Sequence, residues 1–157
     1  MATKNANGAS GSKTVKVSCR NVWKVYGEAP DQFFSAGSGS VGDADAHAAK
    51  IRESGHIVAA ANVSFDVHVG EIFVIMGLSG SGKSTLVRCF SRLHDITGGT
   101  ISIEGIDIGA LRERELIELR RSKMGMVFQS FGLLPHRTVL DNVAFPLEMR
   151  GQDRHDR

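Results

Sequence analysis

Cysteine, proline and most aromatic residues are scarce in this 157-residue chain, which holds two Cys, three Pro, one Trp and one Tyr. Cys19 and Cys89 stand seventy positions apart with no CxxC pair. Neither a disulfide framework nor a thiolate zinc site is supported, and a reducing compartment is expected. HExxH is absent, and the six histidines lack metal-ligand spacing, so they read as structural or surface residues. No apolar run approaches the roughly 18 residues of a membrane-spanning helix. A charged-then-apolar leader of secretory type is also missing, so export is not expected. Charge of one sign is not in excess either: Lys plus Arg is 19 against Asp plus Glu 17, a net charge of +2. That balance argues against nucleic acid or a membrane surface being bound through bulk charge.

What is present is 41% hydrophobic and 23% charged, the composition of a globular protein, and the length predicts one domain. Residues 1–13 are small and polar and read as a loose tail, with 14–157 as the domain. Thr14 to Val22 alternates through Val15, Val17 and Cys19, predicting a half-buried strand. From Glu28 to Gly55 the composition shifts to Gly, Ala, Ser and Asp. This stretch reads as an insertion with too few core-forming residues to be a domain, and its 35–42 segment as a flexible connector. Asp43 is placed to cap a short helix running through Glu53. A strand is predicted to resume at Asn62 through Val63, Phe65 and Val67, followed by a turn at Val69-Gly70-Glu71. The run Ile72 to Met76, IFVIM, suits a central parallel strand covered on both faces. A helix over Lys83 to Leu93, a strand over Thr100 to Ile103, a charged helix over Arg112 to Lys123 and a strand over Met124 to Phe128 follow. Strands alternating with helices predict an α/β fold with a largely parallel sheet.

Between the apolar run and its helix lies Gly77-Leu78-Ser79-Gly80-Ser81-Gly82-Lys83-Ser84, which fits G-x-x-x-x-G-K-S/T. Glycines let successive backbone N–H groups turn inward around a polyphosphate. The helix that follows offers its own unpaired N–H groups to the same anion. Lys83 is suited to the β- and γ-phosphates, and the Ser84 hydroxyl to Mg²⁺. At average glycine usage, a random chain of this length would match on the order of 1% of the time. The loop does not say which nucleotide is held. A guanine-reading N-K-x-D is absent, and Asp95-Ile-Thr-Gly98 lies too soon after Lys83 to be a GTPase switch, so it reads as a turn. A small-molecule kinase with the same loop remains an alternative on this evidence.

Three segments, MGLSGSGKSTLVRCFSRL, TGGTISIEGIDI and MGMVFQSFGLLPHRTVLDNV, resemble ATP-binding cassette (ABC) transporter ATPases. Within that family the likeness is to the ATP-binding subunits of glycine betaine/proline importers, and it covers roughly Val15 to Gly151. The resemblance implies an incomplete P-loop NTPase core with an N-terminal β part. It also implies ATP and Mg²⁺ as cofactors, held by Gly77 to Thr85, with Ser84 and Gln129 at the metal. Lys83 and Gln129 would be catalytic, Gln129 touching both Mg²⁺ and the attacking water. Tyr26, 57 positions before Lys83, would stack on adenine, with Trp23, Phe33 or plain core packing as alternatives. The region from Phe131 to Val143 would face a membrane permease. A second copy of the ATPase, a substrate-binding protein acting indirectly, no nucleic acid, and a place on the inner face of the cell membrane complete the implied setting.

Other family elements are not found in these 157 residues. There is no LSGGQ-like signature beyond the phosphate loop, no apolar strand ending in Asp-Glu, and no suitable switch histidine. The chain by itself is therefore expected to hydrolyse ATP negligibly, and a truncated, non-enzymatic nucleotide-binding remnant stands as the alternative. The strands that flank the phosphate-loop strand in this family are likewise missing, so IFVIM is expected to lack neighbours.

Overall fold

Two asparagines set the geometry of the sheet. The computed structural model describes residues 14–34, 39–127 and 132–157. Strand β1 is Val15–Tyr26 and β2 is Ile57–His68; they pair antiparallel over most of their length. Their register shifts beyond Cys19, where Asn21 has φ +47 and Asn62, opposite, has φ +50. Asn21 donates from Nδ2 to Asn62 Oδ1 at 2.9 Å, and its backbone N–H donates to Ser64 Oγ at 2.8 Å. Asparagine tolerates left-handed backbone better than most residues, which suits it to a bulge. The bulge breaks the alternation, so Cys19, Val22, Trp23 and Val25 are all buried on one strand. This is why β1 runs past the predicted end at Val22. Likewise β2 starts at Ile57, ahead of Asn62, because Tyr26 at the end of β1 pairs with Ile57.

The sheet is completed by β3, Gly98–Ile103, and the two-residue β4, Ile106–Asp107. The strand order is β2-β1-β3-β4, and every pairing is antiparallel. The predicted parallel sheet is thus not what the described residues form. Residues 72–76 belong to no strand, and Ile72 is 91% exposed. An extended run becomes a strand only when a neighbour takes up its N–H and C=O groups, and no described strand lies alongside. Within the run Phe73 stacks on Phe65 with centroids 4.5 Å apart, and Ile75 is half-buried. Residues 124–127 also form no strand, with Val127 99% exposed; Phe128 lies outside the described residues.

The insertion contributes more to the core than its composition suggests. A 3-10 turn over Pro30–Phe33 leads into Phe34, and helix α1 spans Ala44–Glu53. Asp43 caps α1 as predicted, its carboxylate accepting from the N–H groups of Asp45 and Ala46 at 3.0 Å each. Phe34, Ala48 and Ile51 pack with Trp23 and Val25 in one buried cluster. The Trp23 indole N–H donates to the Gly39 carbonyl at 2.8 Å. At Gly39 three backbone segments meet: an added Cβ would lie 1.7 Å from the Asn21 oxygen and 2.6 Å from the Gly99 nitrogen. Of the predicted flexible connector, residues 35–38 lie outside the described residues, while Gly39 is held by these contacts.

Helix α2 is Lys83–Phe90, with Leu86 and Cys89 as its buried face; Leu93 falls beyond its end. Residues 111–157 form a second compact unit. Within it α3 is Glu113–Lys123, with Leu116 and Leu119 buried, and α4 is Val139–Met149. Thr138 caps α4, accepting from the Asp141 N–H at 3.1 Å. Asn142 ties the preceding loop to the helix, accepting from the Leu134 N–H at 2.7 Å and donating to its carbonyl at 3.2 Å.

Candidate functional site

The phosphate-loop motif becomes a curled loop ending at the first residue of α2. Gly80 and Gly82 have φ of +78 and +85, a region that L side chains rarely adopt. Gly77 has a different constraint, since a Cβ there would come within 2.8 Å of Ser81 Oγ. The loop closes on itself through the Ser81 N–H, which donates to the Leu78 carbonyl at 3.2 Å. Gly82 is the N-cap of α2, so the first N–H groups of the helix have no side chain of the cap residue to satisfy them. Lys83 folds back over the loop, donating to the carbonyls of Gly77 and Leu78 at 2.9 and 2.6 Å and to Ser81 Oγ at 3.2 Å. Ser79 and Ser84 are exposed, and Thr85 is half-buried on the next position of the helix.

A cavity of about 770 Å³ opens beside this loop. Its lining includes Gly77, Leu78, Gly80, Ser81, Gly82 and Lys83. The rest of the wall comes from β2, from the apolar residues 73–76 and from Arg52 on the inserted helix, which no motif singled out. The sequence carried no signal for Arg52, because only the packing of α1 brings it to the loop. The loop, the helix start and Lys83 border one open space, and glycine-loop N–H groups, a helix N-terminus and an ammonium group are the donors that suit an anion. These residues fit the polyphosphate of a nucleotide, and the Ser84 hydroxyl is exposed at the helix start.

Tyr26 ends β1 and is 37% exposed. Lys24 Nζ lies 4.7 Å from its ring centroid, and the His94 ring meets it edge-on at 6.2 Å. It is not among the residues lining the cavity. Of the alternatives to it, Trp23 is fully buried and bonded to Gly39, so its faces are not open to a base. Phe33 packs edge-to-face on His56 at 4.9 Å within the insertion. Gln129 and Phe131 lie outside the described residues. Within the second unit, the rest of the region expected to meet a permease presents exposed Leu133, Val139, Leu140 and Val143.

Among the described residues no three His, Cys, Asp or Glu gather to hold a metal. Cys19 and Cys89 are both free and buried, and burial pushes the Cys19 thiol up to about 12, so neither is a poised nucleophile. No described helix is long and apolar enough to cross a membrane.

A curled glycine loop feeding a helix that opens with Lys-Ser defines a P-loop nucleotide-binding protein. Residues 60–157 match the ABC transporter family, and the chain belongs to that family. It is 64% identical over 141 residues to the trimethylamine N-oxide transport system ATP-binding protein TmoW of Ruegeria pomeroyi, covering 90% of this chain and 40% of that protein. The glycine betaine/proline betaine transport system ATP-binding protein ProV of Escherichia coli is 42% identical over 143 residues, 91% of this chain and 35% of that one. The chain thus spans well under half the length of these relatives. Among solved structures, the dimeric bacterial ABC transporter cassette MJ0796 superposes with a TM-score of 0.65 at 33% identity, over 87% of this chain and 49% of that one. A second structure of that cassette is described as a post-hydrolysis state bound to ADP and Pi.

Proposed function

We propose that this chain is the phosphate-loop part of the ATP-binding subunit of an ABC importer for small quaternary-amine osmolytes. The observation that carries the reading is the loop itself: Lys83 and the α2 N-terminus border one cavity with the glycine loop. ATP supplies, when bound with Mg²⁺, the phosphoryl bond whose cleavage drives transport. Residues Gly77 to Thr85 hold its phosphates by backbone N–H groups. Lys83 exchanges its loop carbonyls for β- and γ-phosphate oxygens, a gain because an ammonium–phosphate contact is charge-assisted. Ser84 offers its hydroxyl to the metal, and Gln129 a neutral amide to metal and water. Tyr26 offers its exposed ring to the adenine base.

The coupling partner in this reading is a permease seated on the 131–143 region, where the exposed apolar side chains of α4 supply buriable area. Two copies act together, the substrate-binding protein joins indirectly, and the assembly sits on the inner face of the membrane. Support for the solute class comes from the relatives: the betaine of one and the N-oxide of another are both small, methylated at nitrogen and net neutral. Titration calorimetry of MgATP against wild type and Lys83→Ala tests the nucleotide reading. The variant should bind at least about tenfold more weakly, the worth of one charge-assisted contact. Equal affinity would overturn it.

A further inference from the structure

We infer that Arg52, on the inserted helix, is a second phosphate-contacting residue for the nucleotide held by the 77–85 loop; this rests on the nucleotide-binding reading above. Of the residues that line the cavity, only Arg52 and Lys83 carry charge, and both are cations. The rest are glycine, serine and apolar side chains, so no carboxylate in the wall balances them. Two like charges facing a weakly polar cavity focus a field that draws a polyanion. The two cations differ in their present bonding. Lys83 is occupied by two carbonyls and a hydroxyl. The Arg52 guanidinium has no hydrogen-bond or ion-pair partner among the described residues, in contrast to Arg20, Arg112 and Arg137, which hold carboxylates.

The backbone under Arg52 is nevertheless fixed. Its neighbour Ile51 is fully buried, and the Ile51 carbonyl accepts from Ser54 Oγ at 2.7 Å and from the His56 N–H at 3.3 Å. The Arg52 carbonyl itself accepts from the Gly55 N–H at 2.9 Å. Between this helix end and the loop stands the start of β2, whose Ala59 abuts Gly82. A side chain with a fixed root and a free, planar, five-donor head on that wall is suited to paired phosphate oxygens. The insertion therefore contributes to the site a charge that the loop motif does not contain.

The test measures binding of MgATP and of magnesium tripolyphosphate, which has no base or sugar, to the full chain. Variants are Arg52→Ala, Arg52→Gln and Lys83→Ala, with circular dichroism as the folding check. Both Arg52 variants should bind both ligands about five- to tenfold more weakly, the range of an exposed charge-assisted contact, with a shallower salt dependence. Arg52→Gln keeps the length of the side chain without the charge, so a loss seen only with Arg52→Ala overturns the charge contact. Wild-type affinity in both variants, or a loss confined to ATP, also overturns it. If Lys83→Ala loses binding while the Arg52 variants keep it, the inference about Arg52 fails alone. If Lys83→Ala binds as wild type does, the nucleotide reading fails with it.

Discussion

The carbonyl oxygen of Ala59 lies where a side chain on Gly82 would begin: a Cβ there would fall 1.8 Å from it. Strand β2 and the start of α2 are thus in backbone contact, and Gly82 is demanded twice, by this approach and by its φ of +85. Gly82→Ala should abolish measurable MgATP binding and lower the melting temperature by several degrees, since left-handed backbone alone costs about 1–2 kcal/mol for alanine. Gly80→Ala isolates the strain, because φ is +78 there with open space around the new methyl. It should melt closer to wild type. A Gly82→Ala protein that melts and binds like Gly80→Ala would refute the close approach.

Trp23 is the second point at which one side chain organises distant chain. Trp23→Ala should cost about 3–5 kcal/mol in urea unfolding, the range for emptying a large aromatic site. Trp23→Phe keeps most of the volume but leaves the Gly39 carbonyl without its donor, a loss of about 1–3 kcal/mol. Indistinguishable midpoints for Trp23→Phe and wild type would show that the indole bond contributes nothing.

Both thiols should be silent in the native state. Burial outweighs the opposing Arg20 charge at Cys19, so at pH 8 almost no thiolate exists to attack a disulfide reagent. Neither Cys19 nor Cys89 should react on the minute scale until urea is added. Prompt labelling of either cysteine in the folded chain would contradict the burial described.

Acid should loosen the first turn of α3 in a defined window. Glu115 accepts from the Arg112 backbone N–H at 2.9 Å and from its guanidinium at 2.9 and 3.2 Å. Those donors, the guanidinium first, hold its carboxyl at about 2, below its ordinary 4.5. A depressed pKa means the folded helix favours the ionised form. Its contribution is therefore complete above pH 4.5 and fades as the pH falls toward 2. Chemical shifts of residues 113–116 should follow that decline in wild type and lose it in Glu115→Gln. Equal titration in both proteins would assign the effect elsewhere.

Elements with a local chemical cause were legible in the sequence. The curled glycine loop and the Asp43 cap each depend on residues within a turn or two. The sheet was not legible, because its register depends on Asn21 meeting Asn62, forty-one positions away, and a bulge is invisible to a period-two pattern. For the apolar run at 72–76 the expectation of missing neighbours holds and that of a covered central strand does not: hydrophobicity reports what a segment could bury, and pairing depends on which strand stands beside it. Composition also undervalued the insertion. Phe34, Ala48 and Ile51 are few, yet each reaches the Trp23 cluster. Arg52 illustrates the same limit at the site, since a lone arginine in a polar helix looks like any solvated charge.

The crossing at Gly39 bears on how this chain can be edited. Trp23, Gly39, Asn21 and Gly99 come from three separate stretches, and each excludes side-chain atoms from, or bonds to, another. A hairpin grafted from a cassette lacking residues 28–55 would leave the indole with no acceptor and the cluster with a hole. The insertion is consequently not a detachable module, and chimaeras between cassettes with and without it must exchange β1, the insertion and the start of β3 as a set.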